Sequence, residues 1–233
     1  SHYDSAIFSY FDGDEKSALK VSVQDSKKLR YGENPHQEGY FYGDFSEMFD
    51  QLWGREISYN NLLDIDAAVG LIKDFDDTTF AILKHNNACG IASRENLTQA
   101  WTAALAGDPI SAFGGILVTN KVIDAATAAE MNKIFFEVVI APGYDEGALE
   151  ILKTKKNRIV LILKDSLLQK NNIRTVLNGY ILQDRDVKTE TDADLKVVTK
   201  TAPDSKQVED LLFANKLVKH TKSNAIILVK GGQ

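Results

Sequence analysis

The sequence predicts an α/β fold, a three-layer α/β/α sandwich around a mixed, mostly parallel sheet. Short apolar runs alternate along the chain with segments of helical periodicity, which is the pattern of a sheet covered by helices. The runs are apolar at nearly every position, as expected for strands buried on both faces. With 233 residues, 44% of them hydrophobic, the chain is long enough for one large domain or two small ones.

The predicted elements follow from periodicity and from turn residues. Helices are predicted at residues 3–11, 64–75, 97–106, 123–136 and 146–153, and from Pro203-Asp204 through Val218. Strands are predicted at residues 19–23, 80–83, 116–119, 138–141, 158–163 and 225–229. In the second helix, Ile65, Val69 and Ile72 recur at helical spacing, which predicts one apolar face. The polar stretch from about residue 183 to 194 predicts an excursion over the surface.

Composition excludes several classes of protein. The net charge of −6 gives no overall basic field for nucleic acid or an anionic membrane. A single cysteine, Cys89, cannot form an internal disulfide and is typical of a reducing compartment. The N-terminal residues are too polar for a signal peptide, and no apolar run approaches the ~20 residues that span a bilayer. We therefore expect a cytoplasmic protein without nucleic-acid or membrane partners.

The run KHNNACG, which begins at Lys84, directly follows a predicted buried strand. In open α/β sheets, ligands bind outside the carboxyl ends of strands. A neutral imidazole at His85 could take a proton from an attacking amine. A neighbouring Lys84 could donate to a developing oxyanion. From the local sequence alone, a surface lysine followed by a non-catalytic histidine is the commoner outcome.

Three other segments could contact a ligand. Arg30 and Tyr31 lie in the turn-rich run RYGENPHQ, where arginine could bind phosphate bidentately, although a solvated loop fits as well. Gly114-Gly115 precedes a strand and could admit a ligand to the backbone, or could form a tight turn. Asn224 offers a side-chain amide before the last predicted strand, or could simply follow a helix end.

Other chemistries lack their motifs. A zinc deaminase requires H-x-E and P-C-x-x-C, but His85 is followed by two asparagines and the chain has one cysteine. Neither a P-loop nor G-x-G-x-x-G occurs. A thiol nucleophile at Cys89 near His85 remains a distant alternative, because buried, unreactive cysteine is the commoner outcome.

Seven segments in one order carry a specific resemblance from Leu29 onward. They are LRYGENPHQ, ISYNNLLDIDAA, KHNNACG, DPISAFGGILV, FEVVIAPGYDEGALEIL, VLNGYILQDRD and KSNAIILVKGGQ. Together they resemble the bifunctional purine-biosynthesis family, AICAR transformylase/IMP cyclohydrolase. The resemblance implies a cytidine-deaminase-like unit and transfer of a formyl group from 10-formyltetrahydrofolate, a cosubstrate, to the 5-amino group of AICAR. It implies no metal.

By resemblance, His85 is the base that removes the amine proton, Lys84 stabilises the developing charge, and Asn224 orients the formyl group. The substrate-binding positions that the resemblance implies are Arg30, Tyr31, Asn61, Gly114 and Glu137. The chain departs from the family at Ala88, where proline is common, and at Glu137, where some relatives carry aspartate.

The resemblance also implies a domain organisation. Residues 1–18 would be the tail of an upstream cyclohydrolase domain and a linker, and residues 19–198 the first transformylase unit. Residues 199–233 would be a connecting helix and the truncated start of a second unit. The family forms homodimers with sites across the interface, so we expect self-association and an inactive fragment. The alternative from another class is a non-catalytic nucleotide-binding module.

Overall fold

The computed structural model describes residues 2–12 and 18–233. Its helices are α1 (His2–Asp12), α2 (Tyr59–Ile72), α3 (Leu97–Gly107), α4 (Ala125–Met131), α5 (Glu146–Leu152) and α6 (Ser205–Lys219). Its strands are β1 (Ser26–Lys28), β2 (Tyr40–Tyr42), β3 (Phe49–Trp53), β4 (Thr79–Lys84), β5 (Asn87–Ser93), β6 (Ile116–Thr119), β7 (Val138–Ala141), β8 (Ile159–Leu163), β9 (Asn171–Val176) and β10 (Gly179–Asp184). The predicted linker falls partly on residues 13–17, outside the described residues.

The central sheet has six strands in the order β3-β8-β7-β6-β4-β5. β6, β7 and β8 pair in parallel, whereas β4 is antiparallel to both β6 and β5, and β3 is antiparallel to β8. Four strands, β5 to β8, consequently run in one direction, and β3 and β4 run in the other. This confirms the predicted α/β class with a mixed, mostly parallel sheet.

Two apolar cores, one on each face of the sheet, make the three layers. α2 and α6 contribute to the first core, and α3, α4 and α5 contribute to the second. β4 shows the division, because Ala81 and Leu83 face the first core while Phe80 and Ile82 face the second. The strand is apolar at consecutive positions because both of its faces are covered.

Two helices differ from their predicted limits because of their caps. α2 begins five residues earlier than predicted, since Ser58 and Asn61 form a reciprocal capping box in which asparagine replaces the usual Glu or Gln. α4 is shorter than predicted, because Asp124 caps its first turn and the helix ends at Asn132.

The strands predicted at residues 19–23 and 225–229 are wrong. Both segments are irregular, and the structure pairs neither with a strand. Ile226 and Leu228 are almost fully exposed, at 88% and 91%. Apolar composition alone does not make a strand, because a strand also needs a neighbour for its backbone hydrogen bonds.

The short strands β1 and β2, the sheet strands β3 and β5, and the β9–β10 hairpin were not predicted. β5 has the sequence NACGIAS, whose small residues give little apolar signal. The two-residue loop of the β9–β10 hairpin is Leu177-Asn178, because Val176 pairs with Gly179. β5 matters for the site, because its pairing with β4 places His85 and Asn86 of the run KHNNACG at the tip of a hairpin. The predicted surface excursion is confirmed, since no residue between 183 and 194 is buried.

Candidate functional site

His85 and Asn86 form the two-residue loop between β4 and β5. Lys84 ends β4 and pairs with Asn87 at the start of β5. Both loop residues have left-handed backbones, with φ of 52° at His85 and 64° at Asn86. Two-residue hairpin loops favour this conformation, usually with Asn-Gly. The left-handed backbone costs about 1 kcal/mol at His85 and less at Asn86, since asparagine adopts it more readily than most residues. The loop exposes the His85 side chain.

The Asp64 carboxylate, on α2, anchors this loop through a hydrogen bond. Its Oδ1 accepts a hydrogen bond of 2.7 Å from the backbone N–H of Asn86. Burial raises the pKa of Asp64, and the hydrogen bond from Asn86 opposes that shift only in part. On the other side of the loop, Asn87 Nδ2 donates to the His85 carbonyl oxygen over 2.9 Å. The backbone that carries His85 is therefore fixed from two directions.

Lys84 is held beside the Gly114-Gly115 segment. Its Nζ donates to the carbonyl oxygen of Phe113 over 3.0 Å. Gly114 has φ of 75°, a conformation that favours glycine. A Cβ at Gly115 would lie 2.8 Å from the carbonyl oxygen of Leu83. The glycine pair thus allows the chain to turn closely against the end of β4, which is the structural role that the sequence left open.

Glu137, which directly precedes β7, receives two side-chain hydrogen bonds. Its Oε2 accepts from Arg55 Nη2 at 2.7 Å and from Asn61 Nδ2 at 3.0 Å. The side chains of Arg55 and Glu137 are each about one-third exposed, at 34% and 33%. Asn61 is buried and also belongs to the α2 capping box. Its amide is therefore oriented by the helix that it caps, and Glu137 retains one carboxylate oxygen for other partners.

The first turns of α2 connect the parts of this site. Asn61 contacts Glu137, and Asp64, one turn further along the same helix, contacts the hairpin loop. Asn60 Nδ2 donates to the carbonyl oxygen of Glu33 over 3.1 Å, which ties the RYGENPHQ loop to the same helix end. Side chains three residues apart lie on one helix face, so a single turn reaches two separate strands.

Arg30 and Tyr31 form a pair within that loop. Arg30 Nη2 donates to the Tyr31 hydroxyl over 3.0 Å, and the guanidinium carbon lies 4.8 Å from the centre of the Tyr31 ring. Arg30 is exposed. The stacking orients the planar guanidinium and leaves donors available to an anion.

The site lies at the end of the sheet where the parallel strands β6 and β7 begin. The rule that ligands bind outside the carboxyl ends of parallel strands implies the opposite end. β4 runs against β6, so its carboxyl end coincides with the amino ends of β6 and β7. Glu137 precedes β7 and Gly114 precedes β6 for the same reason. Lys84 was predicted to lie at the end of a buried strand, and it does, but the rule invoked for a ligand there applies to parallel strands and does not explain this arrangement.

Asn224 is not joined to these residues by any hydrogen bond in the described part of the chain. It is exposed, and nearby His220 contacts Asp74 with Nε2 to Oδ2 of 2.6 Å. Asp74 follows the C-terminal end of α2, whereas Asn61 lies in its first turn. The structure therefore brings together Lys84, His85, Asn61, Gly114 and Glu137, with Arg30 and Tyr31 on an attached loop, and leaves Asn224 apart.

Cys89 has the environment of a structural cysteine. Its Sγ donates to the Ile82 carbonyl oxygen over 3.4 Å. Burial raises the pKa of the thiol, and the charge of Asp108 adds to that shift. A raised pKa keeps the thiol protonated near neutral pH, whereas a nucleophile must be thiolate.

Residues 2–12 and 18–233 contain no group of three or more His, Cys, Asp or Glu side chains placed to hold a metal ion. No helix in the same ranges has the length and apolar character needed to cross a membrane.

Sequence reasoning missed Arg55 and Asp64. Asp64 had a usable signal, because it stands three residues after Asn61 in ISYNNLLDIDAA and must share its helix face. Arg55 had none, since its partner Glu137 is 82 residues away in the chain.

Comparison with known proteins identifies the family. The family model described as AICARFT/IMPCHase bienzyme matches residues 1–233. A relative from Bacteroides thetaiotaomicron, "Bifunctional purine biosynthesis protein PurH", is 65% identical over 233 residues, which are 100% of this chain and 46% of the relative. Relatives of the same name from Caldicellulosiruptor saccharolyticus and a Thermoanaerobacter species are 44% and 41% identical, and 99% of this chain matches 48% and 47% of their lengths.

The chain thus spans about half the length of the curated relatives it matches. The family model, in contrast, matches this chain from its first residue to its last. The chain belongs to the AICARFT/IMPCHase bienzyme family.

Proposed function

We propose that this chain contributes to a formyl-transfer site of purine biosynthesis. The reaction moves the formyl group of 10-formyltetrahydrofolate to the 5-amino group of AICAR. The observation that carries the proposal is the exposed imidazole of His85 on a fixed hairpin loop, beside Lys84. The relatives' name, which specifies a bifunctional purine biosynthesis protein, supports a role in purine biosynthesis, and the description of the matching family, AICARFT/IMPCHase bienzyme, supports the transformylase activity.

The chemistry requires a base and a stabilised oxyanion. The AICAR amine is a poor nucleophile, because the imidazole carboxamide delocalises its lone pair. His85 takes the amine proton as the nitrogen attacks the formyl carbon, and the C–N bond to folate N10 then breaks as that nitrogen gains a proton. Lys84 lies beside His85 and donates to the formyl oxygen while it carries negative charge. Positioning supplies much of the remaining rate enhancement.

The other side chains would bind the nucleotide. Arg30 offers a planar donor fork for the phosphate, and Tyr31 offers a ring face. Glu137 and Asn61 present an acceptor and an oriented amide, which suit sugar hydroxyls. Gly114 lets a ligand approach the backbone. Asn224 would orient the formyl group only after the C-terminal segment moves to the site or a second subunit supplies it.

The wider organisation belongs to the same proposal. We propose that residues 19–198 form the first, cytidine-deaminase-like unit, that residues 199–233 lead into a second one, and that the complete enzyme works as a homodimer. The reaction would run in the cytoplasm, since a free Cys89 is typical of a reducing compartment.

The decisive test is His85→Ala in a protein of the relatives' full length. Loss of the base should lower kcat for formyl transfer by about 10²–10⁴-fold, while IMP cyclisation stays near normal. Because His85 is exposed on a loop, thermal unfolding should be unchanged. Both activities can be followed separately by absorbance, with the formylated nucleotide supplied directly for cyclisation.

Two results would contradict the proposal. Equal loss of both activities would indicate a structural role for His85. Unchanged formyl transfer with intact AICAR binding would favour the non-catalytic nucleotide-binding module.

A further inference from the structure

We infer that Asp64 is a positioning residue for formyl transfer, holding the His85-Asn86 loop in the conformation that presents the imidazole. The inference rests on the proposed function of His85. Asp64 itself acts through the loop backbone, where its Oδ1 accepts the Asn86 N–H over 2.7 Å.

The loop needs such support because neither of its two residues is glycine. His85 and Asn86 are consecutive non-glycine residues with positive φ, and hairpins that adopt this turn unaided usually have glycine at the second position. Released from Asp64, the loop would populate other backbone conformations, and each would point the imidazole in a different direction. Strained residues of this kind persist only where the surroundings fix them.

Asp64 is suited to this role because its own position is fixed. It lies on α2, whose first turn is closed by the Ser58–Asn61 capping box. The same turn is tied to the sheet through Asn61 and Glu137. The hydrogen bond that the loop donates to this helix therefore places the loop relative to the nucleotide-binding side chains.

The geometry points to the acceptor oxygen of Asp64 as the active feature. The oxygen receives a backbone N–H, and a neutral group of the same shape can still accept it. Burial also raises the pKa of Asp64, so the environment does not favour the charged form. Asp64→Asn, which keeps an oxygen acceptor, should therefore retain far more activity than Asp64→Ala.

Kinetics of the full-length enzyme test this inference. Asp64→Ala should lower kcat for formyl transfer at least 30-fold, roughly the effect of a misplaced catalytic group, and change the KM for AICAR less than threefold. Asp64→Asn should keep at least a tenth of the wild-type kcat. Asp66→Ala is the matched control, since it stands two residues away on the same helix and its side chain is 66% exposed. It should change neither constant.

A second substitution separates positioning from general stability. Glycine adopts positive φ without strain, so adding Asn86→Gly to Asp64→Ala should restore kcat at least tenfold. In hydrogen exchange, the Asn86 amide should exchange at least tenfold faster in Asp64→Ala than in the wild type. A general loss of stability would be neither rescued by Asn86→Gly nor confined to the loop.

Several outcomes overturn the inference. They are a kcat for Asp64→Ala within threefold of wild type, failure of Asn86→Gly to rescue a folded Asp64→Ala enzyme, and a folded Asp64→Asn enzyme as inactive as Asp64→Ala. If Asp64→Ala does not fold, the Asp64→Asn result decides alone. If His85→Ala leaves formyl transfer unchanged, the proposed function fails, and amide exchange still reports whether Asp64 holds the loop.

Discussion

Lys84 and His85 are adjacent in sequence but lie in different structural environments. Lys84 is still part of β4, and its amine donates to the Phe113 carbonyl. His85 lies beyond the strand, with an exposed side chain and a left-handed backbone. The lysine is thus held against the sheet while the imidazole projects from it. A ligand above this edge would meet the histidine first, which suits a base that must reach an amine.

The environment of Cys89 argues against a thiol nucleophile, and so favours formyl transfer over thiol chemistry. Because burial raises the pKa of its thiol, Cys89→Ser in the full-length enzyme should leave kcat for formyl transfer within about twofold. Steady-state kinetics with saturating AICAR and folate cosubstrate measure this directly. A loss of two orders of magnitude in a folded variant would return the cysteine nucleophile to consideration.

α2 is the element on which the site depends most. Its first turns contact the RYGENPHQ loop, the residue before β7 and the β4–β5 hairpin. At its other end, Asp74 accepts hydrogen bonds from His220 and Lys219 of the α6 region. Burial alone would raise the pKa of Asp74, but these two partners outweigh it and lower the pKa. α2 is therefore anchored at both ends.

The packing of α3 on β5 gives a prediction about stability. A Cβ at Gly90 would lie 1.9 Å from the carbonyl oxygen of Ala104 in α3, so Gly90→Ala must push the helix from the sheet. We expect a loss of about 3 kcal/mol or more in the free energy of unfolding. Urea denaturation followed by circular dichroism measures it.

Gly70→Ala provides the matched control. Gly70 lies inside α2, and an added Cβ would lie 3.7 Å from His220 Cε1 and Nδ1 and 4.0 Å from Arg185 Nη1, which are ordinary contacts. Alanine should stabilise the helix by about 0.5–1 kcal/mol. Equal effects of the two substitutions would show that the close approach at Gly90 is unimportant.

At the scale of the whole molecule, the mixed sheet brings the residues of the candidate site together at one end. Because β4 runs against β6 and β7, the end of one strand meets the beginnings of two others. Residues separated by more than 70 positions, such as Asn61 and Glu137, thus come within hydrogen-bonding distance. The chain nevertheless spans about half the length of its relatives, and Asn224 stays apart from the cluster.

This incomplete coverage predicts that the 233-residue chain by itself has no measurable formyl-transfer activity. The residues proposed to bind the nucleotide are present, but no described contact brings Asn224 to them, and the relatives contain as much sequence again. The purified chain should show no turnover when the full-length protein does so under the same conditions. Turnover by the chain alone would overturn this prediction.

The sequence by itself determined the fold class and most of the buried elements. β6 and β7 were predicted at their observed limits, because apolar runs of strand length between turn residues reflect burial on both faces. The N-terminus of α6 was predicted from Pro203-Asp204 and confirmed by the Asp204 cap. These signals are local, so they can be read without knowing what packs against what.

Only the tertiary structure decided which way β4 runs, that β5 follows it, and that residues 225–229 lack a strand partner. It also revealed Arg55 and Asp64, whose partners Glu137 and Asn86 are distant in sequence. Lys84 and His85 were singled out from the sequence by a rule for parallel strands, and that rule does not describe the end of β4, which is antiparallel to β6. Pairing direction and hydrogen bonds between distant residues depend on how the whole chain packs, and a local pattern holds no information about them.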